Sequence, residues 1–187
     1  MSTNGGYPQP AGVRNAFWSL GPSDTGYPGG FPAGFIQRCE GAPWFRGRKL
    51  WVCSGSVRRP GEDTLDVNPD VQPTYLWDLE ELPIPIPDET YDTVIFDPPY
   101  SEEWAQKLYN RKLLPVTRVL DECARVTRPG GHVAILEFVL RMYNPKSMRV
   151  VEVIAVQTGL TNAPLRGLTV RRKDGTSRQT LSRYDEE

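Results

Sequence analysis

Tyr91 to Tyr100 read YDTVIFDPPY, an apolar and β-branched run that meets an acid and two consecutive prolines. Proline lacks a backbone N–H, fixes its own φ and holds the preceding residue extended. Neither a helix nor a sheet continues through such a pair. The stretch therefore predicts a buried strand stopped at a rigid corner, with Asp97 at its carboxyl end. In open α/β sheets, that end of a strand is where ligands bind.

Other segments fit a sheet around this strand. KLWVCSGSV is a short apolar run stopped by small residues, DTLDV is a second strand candidate, and PTYLWDLEEL holds a third apolar piece. SEEWAQKLYN opens with Ser and two glutamates, as helix N-termini do, and LPVTRVLDECARVT spaces Leu114, Val116, Val119, Leu120, Cys123 and Val126 along one helical face before RPGG stops it. HVAILEFVL then reads as a buried strand, and RVVEVIAVQTG with LRGLTVRRK as a closing antiparallel pair. Strands and helices alternate and two strands finish the chain. The fold class expected is α/β, a Rossmann-like doubly wound and mostly parallel sheet with an antiparallel C-terminal strand pair.

At 187 residues the chain holds one well-cored domain, expected over 15–173 between flexible segments 1–14 and 174–187 that are rich in Gly, Pro and polar residues. Three cysteines, far apart and joined by one histidine, make neither a disulfide framework nor a zinc site, so no metal is expected. Nothing resembles a membrane span or a secretory signal, and the expected compartment is the cytoplasm. The net charge of −1 hides an acidic middle: residues 61–105 carry 13 acids and no Lys or Arg, while 141–187 carry nine bases against five acids.

Three small constellations lie at successive strand ends. After WVC, Ser54, Gly55 and Ser56 make a turn that lets backbone approach a ligand, or merely connect strand to loop. Asp66 ends TLD where a carboxylate accepts both hydroxyls of a ribose, or serves as a turn residue before Asn68 and Pro69. Asp78 follows the third strand, where it reaches an adenine amino group or caps a helix. Together they describe a nucleoside-cofactor pocket. Acidic and lacking bases, it suits a cofactor with a positive centre better than a diphosphate.

The ordered set WVCSGSV, TLDVNP, DLEELPIPIPDETYDTVIFDPPY and ECARVTRPGGHVAILEF resembles the class I S-adenosylmethionine-dependent methyltransferases, over about residues 48 to 138. Within that superfamily, DPPY after the fourth strand resembles the catalytic motif of the amino-methyltransferases acting on adenine N6 in DNA. YPGGFPAGF, Tyr27 to Phe35, resembles their additional cofactor-side motif. The resemblance implies S-adenosyl-L-methionine as cofactor, bordered by Tyr27, Pro28, Phe31, Cys53, Ser54, Gly55, Ser56, Asp66, Val67, Asp78, Leu79 and Asp97. It implies a catalytic set of Asp97, Pro98, Pro99 and Tyr100. Val57 stands where the family usually has a second glycine.

What an aromatic amine lacks explains the motif. Its lone pair is delocalised into the ring, so attack on a methyl sulfonium needs hydrogen bonds that draw the nitrogen towards tetrahedral geometry. Asp97 would accept one N–H bond, the Pro98 carbonyl, held rigid by Pro99, would accept the other, and Tyr100 would stack on a base lifted from its helix. None of the cysteines follows a proline, which argues against the cysteine nucleophile of cytosine-C5 enzymes. Relatives with this motif also methylate cytosine N4, RNA bases or a glutamine amide. A small-molecule methyltransferase and a non-catalytic partner subunit stay open as well.

The partner expected is nucleic acid, taken as DNA. The interval from Asp78 to Asp97 is too short for a target reader, so either the sequence preference would be short or relaxed, or recognition would be borrowed from a second copy or another protein. Candidate phosphate contacts are Arg46 to Lys49, Arg58 and Arg59, the RKLL stretch after the catalytic helix, Arg171 to Lys173, Arg178 and Arg183.

Overall fold

The computed structural model describes residues 12–109, 112–141, 143–159 and 165–175. Of the two ends expected to be flexible, only 12–14 and 174–175 fall among them; Arg111, Arg178 and Arg183 lie outside. The chain runs β1 (Arg14–Leu20), α1 (Phe35–Glu40), β2 (Lys49–Val52), β3 (Asp63–Asp66), β4 (Tyr75–Leu76), β5 (Tyr91–Phe96), α2 (Glu102–Tyr109), α3 (Val116–Val126), β6 (Thr127–Glu137), β7 (Met148–Thr158) and β8 (Arg166–Lys173).

Successive side chains on a strand point to opposite faces, and the central strands here are apolar on both. Leu50, Val52, Val94, Phe96, Val133 and Ile135 join one core, covered by Val116, Val119, Leu120 and Cys123 of α3. Their neighbours Trp51, Ile95, Ala134 and Leu136 join the other, with Phe31, Phe35 and Cys39 on the side of α1. A sheet buried on both faces is the doubly wound arrangement expected, and the strand order is β1-β7-β8-β6-β5-β2-β3-β4. All its pairings are parallel except those of β8 with β6 and β7.

Three local outcomes differ from the sequence reading. RNAFWSL, not foreseen as a strand, adds β1 parallel to β7 from Arg14 opposite Glu152 to Leu20 opposite Thr158, with an Arg14–Glu152 ion pair of 2.9 Å. α3 ends at Val126, capped by Thr127, whose hydroxyl donates to the Cys123 carbonyl at 2.6 Å, but RPGG after it is not a loop. RPGG itself runs into β6, and a Cβ on Gly131 would stand 2.8 Å from the Asp92 carbonyl oxygen, so only glycine lets the strands lie this close. Finally, β6 stops at Glu137, and Phe138, Val139 and Leu140 leave the sheet 42%, 72% and 52% exposed. No described helix is long and apolar enough to cross a membrane.

His132 sits buried in β6 opposite Thr93 and Arg172. Burial, followed by the charges of Arg46, Arg172 and Arg14, lowers its pKa to about 4. The unfolded chain takes up this proton near pH 6.5, whereas the folded one waits until about 4. Acid therefore favours unfolding across that window. We expect His132→Gln to remove up to about 3 kcal/mol of the stability lost between those pH values, measured by urea unfolding at each pH. Equal slopes in the two proteins would show that folding does not lower the His132 pKa.

Candidate active site

The carboxyl ends of β2, β3 and β5 converge on one cleft. After Val52, Cys53 turns the chain with a φ of +55°, and Gly55 follows at +50°. The Val57 N–H donates to the Ser54 carbonyl at 3.1 Å and closes the turn. Gly55 is required here twice over: its φ lies in the left-handed region, and a Cβ would meet the Tyr27 ring at 3.0 Å. Its N–H donates to Asp66 Oδ2 at 2.8 Å, and Asp66 Oδ1 accepts the Asn68 N–H at 3.0 Å. One carboxylate thus fixes both loops at the floor of the cleft. Asn68 in turn donates from Nδ2 to the Tyr27 hydroxyl at 3.3 Å, which ties the N-terminal loop to the same framework.

The third wall is a turn beyond β4. Asp78 Oδ1 accepts the Glu80 N–H at 3.0 Å, and the Trp77 indole donates to the Glu81 carbonyl at 2.7 Å. At the fourth, the Asp97 N–H donates to the Val52 carbonyl, continuing the β2–β5 ladder by one bond before Pro98 ends it.

The cleft measures about 290 Å³, and among its lining are Cys53, Gly55, Asp66, Val67, Asp78, Leu79, Asp97, Pro98, Pro99 and Tyr100. Gly29, Trp77, Leu114 and Phe138 also line it, although the sequence reading did not single them out. Phe31 is elsewhere: its ring stacks on Phe35 at 5.0 Å and meets Trp51 edge-on at 5.3 Å, because a large apolar side chain beside that core is better buried than exposed. Ser56 lies on the far side of its turn, with Asp24 and Arg58 around a second hollow. Ser54 is buried beneath the loop and Pro28 is exposed outside it.

Asp97 is 7% exposed, and burial pushes its carboxyl up to about 7 against the pull of Arg166. Arg166 Nη2 donates to Asp97 Oδ1 at 2.5 Å, and the Tyr100 hydroxyl donates to the same oxygen at 2.5 Å. The guanidinium lies over the Tyr100 ring, 4.4 Å from its centroid, so one face of that ring is already covered. Arg166 stands first in a strand with other arginines. Its sequence position carried no signal of this role, since only the packing of β8 beside β6 brings it to Asp97.

The candidate phosphate contacts fare unevenly. Arg48 pairs with Asp63 at 2.8 Å, Lys49 with Glu62 at 3.5 Å, and Arg59 with Glu40 and Glu62. Arg171 is fully buried and donates to Asn144 Oδ1 and to the carbonyls of Arg141 and Tyr143. A guanidinium spent on backbone carbonyls inside the protein is not a surface for phosphate, which corrects the expectation for that residue. Among the described residues, no cluster of His, Cys, Asp or Glu could hold a metal ion.

No family model matches this chain, and no curated protein matches it. Solved structures do. A chain in the complex of the Haloferax volcanii Trm112 methyltransferase activator with a candidate methyltransferase superposes at a TM-score of 0.50 and 14% identity, over 74% of this chain and 88% of that one. TrmN from Thermus thermophilus gives 0.48 at 18% identity over 74% of this chain, which spans 46% of TrmN. A SAM-dependent methyltransferase from Methanosarcina mazei gives 0.46 at 12% identity, over 68% and 92%. At such identities a likeness speaks for the fold alone. With its mostly parallel eight-stranded sheet, helices on both faces and an antiparallel strand beside β6, the chain has the Rossmann-like class I methyltransferase fold.

Proposed function

We propose that the protein is an S-adenosylmethionine-dependent methyltransferase that acts on the exocyclic N6 amine of adenine in DNA. The observation that carries this reading is that Asp97 and Pro98, at the end of β5, border the same cleft as Gly55 and Asp66. The residues present suit the cofactor: a glycine bend pressed on a tyrosine ring, and two carboxylates, Asp66 and Asp78, with Lys112 the one cation among the described lining residues. S-adenosylmethionine supplies an electrophilic methyl on a cationic sulfur. Cys53, Gly55, Asp66, Val67, Asp78 and Leu79 would hold it. Asp97 Oδ2 and the Pro98 carbonyl would each accept an N–H of the target amine, raising electron density on nitrogen as its bond to the methyl formed and the methyl's bond to sulfur broke, that electron pair staying on a sulfur left neutral. The nitrogen then sheds one proton to solvent. Tyr100 would stack on the base through the face that Arg166 leaves uncovered.

A large substrate rather than a metabolite is supported by the rim. Phe138 lines the cleft and continues into exposed Val139 and Leu140, with Leu113 and Leu165 exposed beside lining and site residues. Apolar side chains grouped at a cleft mouth mark a contact surface for a macromolecule. We place the catalytic domain at 15–173 and assign target recognition to a second copy or a partner protein. The three free thiols suit a reducing cytoplasm.

Nucleoside mass spectrometry of DNA and RNA from cells with and without the protein tests this. N6-methyladenine in DNA that appears only with the protein is the expected result. A methylated RNA base or cytosine N4 would keep the amine chemistry and change the polymer or base; no methylated nucleoside that depends on the protein, in DNA or RNA, would overturn the proposal.

A further inference from the structure

We propose that Arg166 is a positioning residue that holds one oxygen of Asp97 and leaves the other for the target amine, and so restricts the cleft to neutral planar amines and excludes ammonium groups. This rests on the methyl-transfer reading above. Arg166 and Asp97 are each 7% exposed, and their contact at 2.5 Å uses Oδ1, the oxygen that Tyr100 also reaches. Among the described residues no hydrogen bond reaches Oδ2, which would be the oxygen left for a target. The guanidinium is fixed in its turn, over Tyr100 at 4.4 Å and Phe138 at 5.7 Å, with the two rings edge to face at 4.5 Å. An arginine clamped by two rings costs little further ordering to present one donor.

The electrostatics decide what such a site accepts. A carboxyl this buried tends to keep its proton, and then it would donate where the amine needs an acceptor. The guanidinium favours the charged form by charge and by hydrogen bond. Around Asp97 stand the Cys53 thiol at the end of β2, with Asp66 beyond it, the Tyr100 hydroxyl, Lys112 on the cleft wall and Glu137 at the end of β6, which is occupied by Arg141 at 2.7 Å. The Asp97–Arg166 pair is formally neutral, so an ammonium entering the cleft loses its hydration without meeting uncompensated negative charge at the acceptor. A neutral aromatic amine or amide needs only the lone pair.

The test compares wild type with Arg166→Met and Arg166→Lys. With mixed-sequence DNA and tritiated cofactor, Arg166→Met is expected to lose about 100-fold in transfer at pH 7 and to regain part of it as pH rises, while cofactor affinity stays within about twofold. Arg166→Lys is expected to recover about tenfold of that loss, because it restores the charge without the planar fork. Spermidine offered to the wild type is expected to take no label. In ¹³C-aspartate-labelled protein, the Asp97 carboxyl is expected to titrate at higher pH in Arg166→Met than in wild type. Faster transfer by Arg166→Met would mean that the guanidinium obstructs the amine's seat and would overturn the proposal. So would labelled spermidine, or the same Asp97 titration in both proteins. Should no protein label nucleic acid, the methyl-transfer reading fails by itself, and the carboxyl titration still decides whether Arg166 controls Asp97.

Discussion

Asp97→Asn is expected to lower methyl transfer to DNA by about 100- to 1,000-fold while S-adenosylmethionine binds within about twofold of wild type. The amide keeps the shape and one oxygen, but puts an NH₂ where the target amine needs an acceptor. Asp97→Ala is the less informative variant. It leaves Arg166, buried and paired at 2.5 Å in the wild type, without its counter-charge. Removing one partner of such a pair costs about 3–5 kcal/mol, so lost activity would be mixed with lost fold. Both variants remove the counter-charge, but Asp97→Asn keeps one oxygen for the guanidinium to donate to, so both should lower transfer strongly and Asp97→Ala should lower the melting temperature more. Transfer by Asp97→Asn within tenfold of wild type would remove the carboxylate from the mechanism.

Trp51→Ala is expected to destabilise the protein by about 4 kcal/mol, a large share of the 5–15 kcal/mol that usually holds a domain together. Trp51 lies fully buried in β2, with Phe31 at 5.3 Å and Phe45 at 5.9 Å, both edge-on, and its indole donates to Glu62 at 2.7 Å. Truncation would open a cavity against the central strand and remove that donor. Trp51→Phe should cost less, since the ring contacts largely survive and Glu62 keeps Lys49 and Arg59. Urea unfolding should show the midpoint falling at an unchanged slope. If Trp51→Ala and Trp51→Phe cost the same, ring volume is not what holds this core.

Parts of this molecule were legible because their signals are local. The run YDTVIF before two prolines became β5 with Asp97 at its end, and the spacing from Val116 to Val126 became α3. Asp66 holds the amides of Gly55 and Asn68, as a turn residue would, and it also borders the cleft, as a cofactor-side acid would. What escaped depends on distant parts of the chain. β1 is a strand only because β7 offers it a parallel edge, and RNAFWSL alone carries no strong pattern. Phe31 lies in a segment resembling a cofactor motif, yet the apolar pull of Phe35 and Trp51 takes it inside. Arg166 and Arg171 look like surface charge in LRGLTVRRK, and both are internal donors.

The strand that carries those two arginines is hydrogen-bonded on both sides, to β6 and to β7, and it is the last strand among the described residues. During synthesis the ribosome therefore delivers the cofactor-side loops and the DPPY corner well before it delivers Arg166. Until β8 slots between its neighbours, the emerging polypeptide has Asp97 without its counter-ion and the segment after β6 without its internal anchor. Competence for chemistry would then be acquired late, when β8 pairs with β6 on one side and joins β7 and β1 to the rest of the sheet on the other.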